Sequence, residues 1–139
     1  MTASTLWPEQ TFNITHADSG VFRAKGLRAF FEYRDLGIES ATSGQFGAHV
    51  IRAIPGQKST GGWHQHQLTF QMVYVIQGWV VFEYENTGEH VLHSGSCVLQ
   101  PPGIQHREVR HSDDLELLEI ISPAQFETTP IDPPQSTEK

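Results

Sequence analysis

From Gly26 onward, short runs rich in β-branched and aromatic residues recur along the chain: Arg28 to Asp35, Phe46 to Ala53, Thr69 to Gln77, Val80 to Tyr84, Cys97 to Gln100, Glu108 to His111 and Leu115 to Ile121. Gly, Pro, Asn and Asp turns separate them, so each run reads as a strand. Gln77-Gly78 lies between two strongly apolar runs and Asn86-Thr87-Gly88 closes the next, which predicts antiparallel hairpins. No stretch offers an apolar stripe at helical spacing for three turns. We therefore expect an all-β sandwich or barrel.

The two ends read differently. Residues 1–25 mix polar positions with isolated apolar ones, Leu6, Trp7 and Phe12 among them, and fit an arm that forms an edge strand or a dimer contact. Residues 26–125 carry the strand pattern. Residues 126–139 contain Pro130, Pro133 and Pro134 among Thr, Ser, Gln and charged residues. That composition buries too little apolar surface to offset ordering entropy, and predicts a flexible tail.

A chain of 139 residues suits one domain with a core of its own. Cys97 is the single cysteine and has no partner for an intrachain disulfide; its apolar run predicts a buried, inert thiol. With no signal-peptide pattern at the N-terminus, a cytoplasmic location is expected. The richest apolar stretch, Phe70 to Tyr84, is broken by Gln71, Gln77 and Glu83, so no membrane span is expected. The net charge is −7, and the nine Lys and Arg residues stand singly. Nucleic acid is thereby disfavoured as a partner.

The histidines change the picture. In Gly62-Trp63-His64-Gln65-His66 two imidazoles stand two residues apart, and on an extended strand both point to one face, with Trp63 on the other. Gln71 follows near the start of the next strand, and a bend between the two strands brings it back toward the histidines. Later, Gly95 to Leu99 leads into Gln100-Pro101-Pro102-Gly103-Ile104-Gln105-His106, a strand ended by a rigid turn that fixes where His106 points.

His64, His66, Gln71 and Gly78 resemble the first motif of the cupin superfamily, in which His-x-His is followed by a carboxylate, six residues and a glycine; here glutamine replaces the carboxylate. Gly95, Pro101, Gly103 and His106 resemble its second motif, with Arg110 where an asparagine often sits. The resemblance implies a small single-domain double-stranded β-helix, a jelly-roll-like antiparallel barrel. It also implies one divalent metal ion per chain on a His/His/Gln/His set: His64, His66, Gln71 and His106. Zinc, iron, nickel and manganese are not distinguished by these residues. Gln71 has a second reading as a residue that only lines the cavity, because a neutral amide oxygen is a weaker donor than a carboxylate.

Three imidazoles and an amide leave the charge of a divalent ion uncompensated, which favours Lewis-acid chemistry and resembles the neutral zinc site of cupin polyketide cyclases. If His106 points inward, regular alternation also turns Glu108 and Arg110 inward and Arg107, Val109 and His111 outward. Glu108 is thus a candidate catalytic proton carrier, or else the partner of Arg110 or Arg107 in a salt bridge. Tyr74 and Tyr84 read as core, and His49, His90, His93 and His111 are assigned no role. Two function classes follow. One is an enzyme acting on a small oxygen-rich or aromatic molecule, as a lyase, isomerase or cyclase or as a non-haem iron dioxygenase. The other is a non-catalytic small-molecule binding or sensing protein. A homodimer is expected.

Overall fold

The computed structural model describes residues 9–24, 29–59 and 61–134. Ten strands follow in chain order: β1 (Phe31–Asp35), β2 (Gly47–Ala53), β3 (His64–Gln67), β4 (Phe70–Gln77), β5 (Trp79–Tyr84), β6 (Gly88–His93), β7 (Cys97–Leu99), β8 (His106–His111), β9 (Glu116–Ser122) and β10 (Glu127–Pro130). One turn of helix, α1 (Ile38–Ala41), interrupts the otherwise all-β chain. No helix among the described residues is long and apolar enough to cross a membrane.

The strands form two antiparallel five-stranded sheets, β1-β2-β9-β4-β7 and β10-β3-β8-β5-β6, in the expected jelly-roll manner. Alternation decides which side chains meet between them. On β4, Gln71, Val73 and Val75 are buried while Phe70, Tyr74 and Ile76 face out. Val73 and Val75 join Phe30, Phe31, Ile51, Val80, Phe82, Leu115 and Leu117 in the apolar core. The Gln77-Gly78 turn is as expected: Gly78 adopts φ +76°, and a Cβ there would run into Ser112 Oγ and the Leu115 backbone.

Several expectations are corrected. Glu127–Pro130 is not loose tail: it pairs antiparallel with β3, setting Thr128 opposite His66 and Pro130 opposite His64. Backbone hydrogen bonds to a sheet edge hold this polar strand, and hydropathy does not register them. Cys97 is exposed, because β7 turns Val98 inward against Val73 and leaves Cys97 and Leu99 on the outer face. Tyr74 also lies on that outer face.

In β8 the register with β5 steps from Val81–Arg110 to Phe82–Glu108, so Val109 is an extra residue, a β-bulge. The bulge reverses alternation beyond it. Arg110 faces solvent beside Glu89, and the His111 side chain is buried. Of the arm, Thr11 N–H donates to the Ala41 carbonyl and Arg23 forms a two-way bridge to Tyr33, while Phe12 is 90% exposed. Leu6 and Trp7 lie outside the described residues.

Candidate metal centre

β3 and β8 are neighbours in the second sheet, with His64 directly opposite His106. His66, two residues along β3, points the same way. The ring centroids of His64 and His106 are 4.4 Å apart, and those of His66 lie 4.9 and 5.1 Å from the other two. All three side chains are buried, and each offers a ligand atom within 4.8 Å of the others. The approach to β3 is set by Gly61, where a Cβ would fall 2.5 Å from the Glu108 carbonyl oxygen. The turn before His106 is tied down by the Gly103 N–H, which donates to the His66 carbonyl at 3.2 Å.

Each imidazole is oriented through Nδ1. That of His64 lies 2.8 Å from the Gly62 carbonyl, that of His106 3.0 Å from the Ile104 carbonyl, and that of His66 2.8 Å from the Thr128 hydroxyl. A carbonyl only accepts, so Nδ1 of His64 and His106 carries the proton and Nε2 the lone pair. That tautomer is the one in which imidazoles bind a cation through Nε2. The donor set therefore fits a divalent metal ion. Tyr84 stacks on His106 with centroids 5.7 Å apart, and Phe126 meets His66 edge to face at 5.3 Å. The Tyr84 hydroxyl donates to Gln100 Oε1 at 3.2 Å, and burial pushes its phenol well above the ordinary tyrosine value near 10. It stays a protonated donor at neutral pH.

A cavity of about 100 Å³ lies between the sheets. His64, His66, His106 and Glu108 line it from the second sheet; Gln71, Glu119 and Tyr33 line it from the first. Gln71 is 3% exposed, and its amide nitrogen donates to Glu119 Oε2 at 2.9 Å. Glu108 is buried as expected, yet its partner is neither arginine. Oε2 lies 3.2 Å from Nδ1 of His111, while Oε1 has no hydrogen-bond partner among the described residues. Arg107 instead pairs with Glu83 at 2.8 Å and sets its guanidinium 5.6 Å from the Trp63 ring on the outer face.

Glu119, His49 and His111 were not singled out by sequence as parts of this site. Glu119 alternates inward between Leu117 and Ile121, a visible signal. His49 lies opposite it in the β2–β9 register, with Nδ1 4.0 Å from Glu119 Oε1. His111 gave no signal, because the bulge at Val109 turns it inward. His90 and His93 lie on exposed positions of β6, where the sequence assigned them nothing.

The cupin domain matches residues 50–121. No curated protein matches the chain in sequence. Among solved structures, KdgF from Halomonas sp. is similar at 20% identity and TM-score 0.65, over 81% of this chain and 96% of that one. The polyketide cyclase RemF from Streptomyces resistomycificus is similar at 13% identity and TM-score 0.70, over 90% and 89%. A cupin-superfamily sugar phosphate isomerase from Silicibacter pomeroyi is similar at 25% identity and TM-score 0.61, over 77% and 73%. The family match covers half the chain, and the jelly-roll topology and three inward histidines accord with it: the chain belongs to the cupin family.

Proposed function

We propose that the chain binds one divalent metal ion through His64, His66, His106 and Gln71, and that it is an enzyme of the lyase, isomerase or cyclase type acting on a small oxygen-bearing or aromatic molecule. The observation that carries this reading is the trio of buried imidazoles, oriented through Nδ1, around a cavity that also holds a carboxylate oxygen of Glu108 with no hydrogen-bond partner among the described residues. A divalent ion held there supplies Lewis acidity toward a substrate oxygen. Glu108 Oε1 is the atom that takes or returns a substrate proton, and His111 holds the other oxygen of that carboxylate in place. Phe82 and Phe126 exclude water from the same space.

The lining carries two carboxylates and, among the described residues, no lysine or arginine. An uncharged substrate is therefore favoured over a phosphorylated one. A polyketide cyclase of the same fold is in keeping with this class of activity. The outer face of the first sheet carries exposed Phe70, Tyr74, Ile76 and Leu99, which supports a homodimer formed through that face.

Elemental analysis of protein purified without chelator, followed by turnover and oxygen-uptake assays on a panel of diketones, phenols and hydroxy ketones, tests the reading. Bound metal with turnover and no oxygen uptake supports it. Iron with oxygen uptake replaces it by a dioxygenase, and tight ligand binding without turnover replaces it by a sensor.

A further inference from the structure

The donor set of three imidazoles and an amide brings no negative charge to the ion. The first sheet places a carboxylate beside the amide. Gln71 stands on β4 and Glu119 on β9, and the register sets Val73 opposite Glu119 and Gln71 opposite Ile121. Glu119 is thus the diagonal neighbour of Gln71 on the inner face. Its carboxylate accepts from Gln71 Nε2 at 2.9 Å, and both residues line the cavity. The bond fixes the amide, because a carboxylate accepts and the end that touches it must be the NH2. The Gln71 carbonyl oxygen is the opposite end.

We infer that Glu119 is the positioning residue of the metal centre: it holds Gln71 with its oxygen as the donor end and supplies, one side chain further out, the negative charge that glutamine does not. The inference rests on the ligand set proposed above. A buried amide anchored only by neutral groups can turn over and present its NH2 to the cation, an arrangement that repels it. Anchoring on a carboxylate removes that alternative. It also places an anion behind the ligand, where such partners commonly set metal affinity. Glutamic acid at position 71 would instead face Glu119 across the same 2.9 Å contact and repel it.

Zinc affinity, measured by competition with a chromophoric chelator on the full chain, tests this with Glu119→Gln, Gln71→Glu, the double variant and His64→Ala. We expect Glu119→Gln to weaken binding about 10- to 100-fold. Gln71→Glu alone should bring no gain, and the double variant should recover or exceed the parent affinity, since it moves the charge into the first position. Because the amide oxygen in Glu119→Gln can still accept from Gln71 Nε2, the weakening in that variant is not expected if Glu119 merely satisfies a buried amide. Parent-like affinity in Glu119→Gln, or tighter binding from Gln71→Glu whatever stands at 119, overturns the inference. Should Glu119→Gln fail to fold, the double variant compared with Gln71→Glu decides: no gain on removing the second carboxylate overturns it. If the parent binds no zinc, or His64→Ala binds as the parent does, the metal site itself is wrong and the inference falls with it. Loss in His64→Ala beside no change in Glu119→Gln refutes the role of Glu119 alone.

Discussion

The hydroxyl of Thr128, on β10, lies 2.8 Å from Nδ1 of His66, on β3, so the last strand among the described residues orients one of the three clustered imidazoles. Replacing Thr128 by Val keeps the shape and removes the partner. Metal affinity should fall about 10-fold or more, while Thr128→Ser should restore it. Chelator competition reads both, and parent-like binding by the valine variant would remove β10 from the site.

His64→Ala, His66→Ala and His106→Ala should each abolish stoichiometric metal binding, because three remaining donors compete poorly with water and chelators. The fold should persist on its apolar core, with an unchanged far-ultraviolet circular dichroism spectrum. Full metal content in any two of these variants would refute the assignment.

Glu108→Gln should leave metal content at the parent level and lower turnover about 100-fold or more, the usual size of a proton-transfer contribution. Steady-state rates on whichever compound of the panel is turned over, beside elemental analysis of the same preparation, give the two readouts. Equal rates in parent and variant would make Glu108 a structural residue.

Tyr84 gives a pH signature of its own. Burial raises its pKa in the folded state above the unfolded value near 10, so the folded protein keeps the proton while the unfolded chain releases it. The stability this group contributes is complete below about pH 10 and declines above it, by at most about 1.4 kcal/mol per pH unit. Tyr84→Phe should flatten the alkaline limb of a urea-denaturation profile while losing the hydrogen bond to Gln100. A limb as steep as the parent's would show that other groups set it.

Tyr74→Glu combined with Leu99→Glu charges the outer face of the first sheet. Light scattering after size exclusion should give a dimer for the parent and a monomer for the variant. A monomeric parent ends the proposal.

What the sequence disclosed and what it withheld follow a physical division. His64 and His66 were legible because strand period alone puts i and i+2 on one face, and His106 because prolines and a glycine fix the turn before it. The strand runs from Phe46 to Ile121 were legible for the same local reason, except β6, whose mostly exposed residues show no apolar alternation. β10 was not, since a polar strand is held by pairing with β3 and its residues show no apolar alternation. Neither was the bond between Gln71 and Glu119, whose partners lie 48 positions apart and meet only through the β4–β9 register. His111 was misplaced because a bulge leaves no mark in the order of residues. Cys97 was misplaced because a three-residue edge strand can offer either face to water.

Val109, the extra residue in β8, has a consequence for the charge of the barrel interior. In a regular strand Arg110 would point between the sheets and His111 would face solvent; the looped-out residue exchanges them, sending the guanidinium to Glu89 and an imidazole into the interior. An inward arginine would offer phosphate or carboxylate a fixed two-pronged clamp. One unpaired position in a ladder thus keeps a fixed positive charge out of the interior while leaving His106 and Glu108 buried where they are.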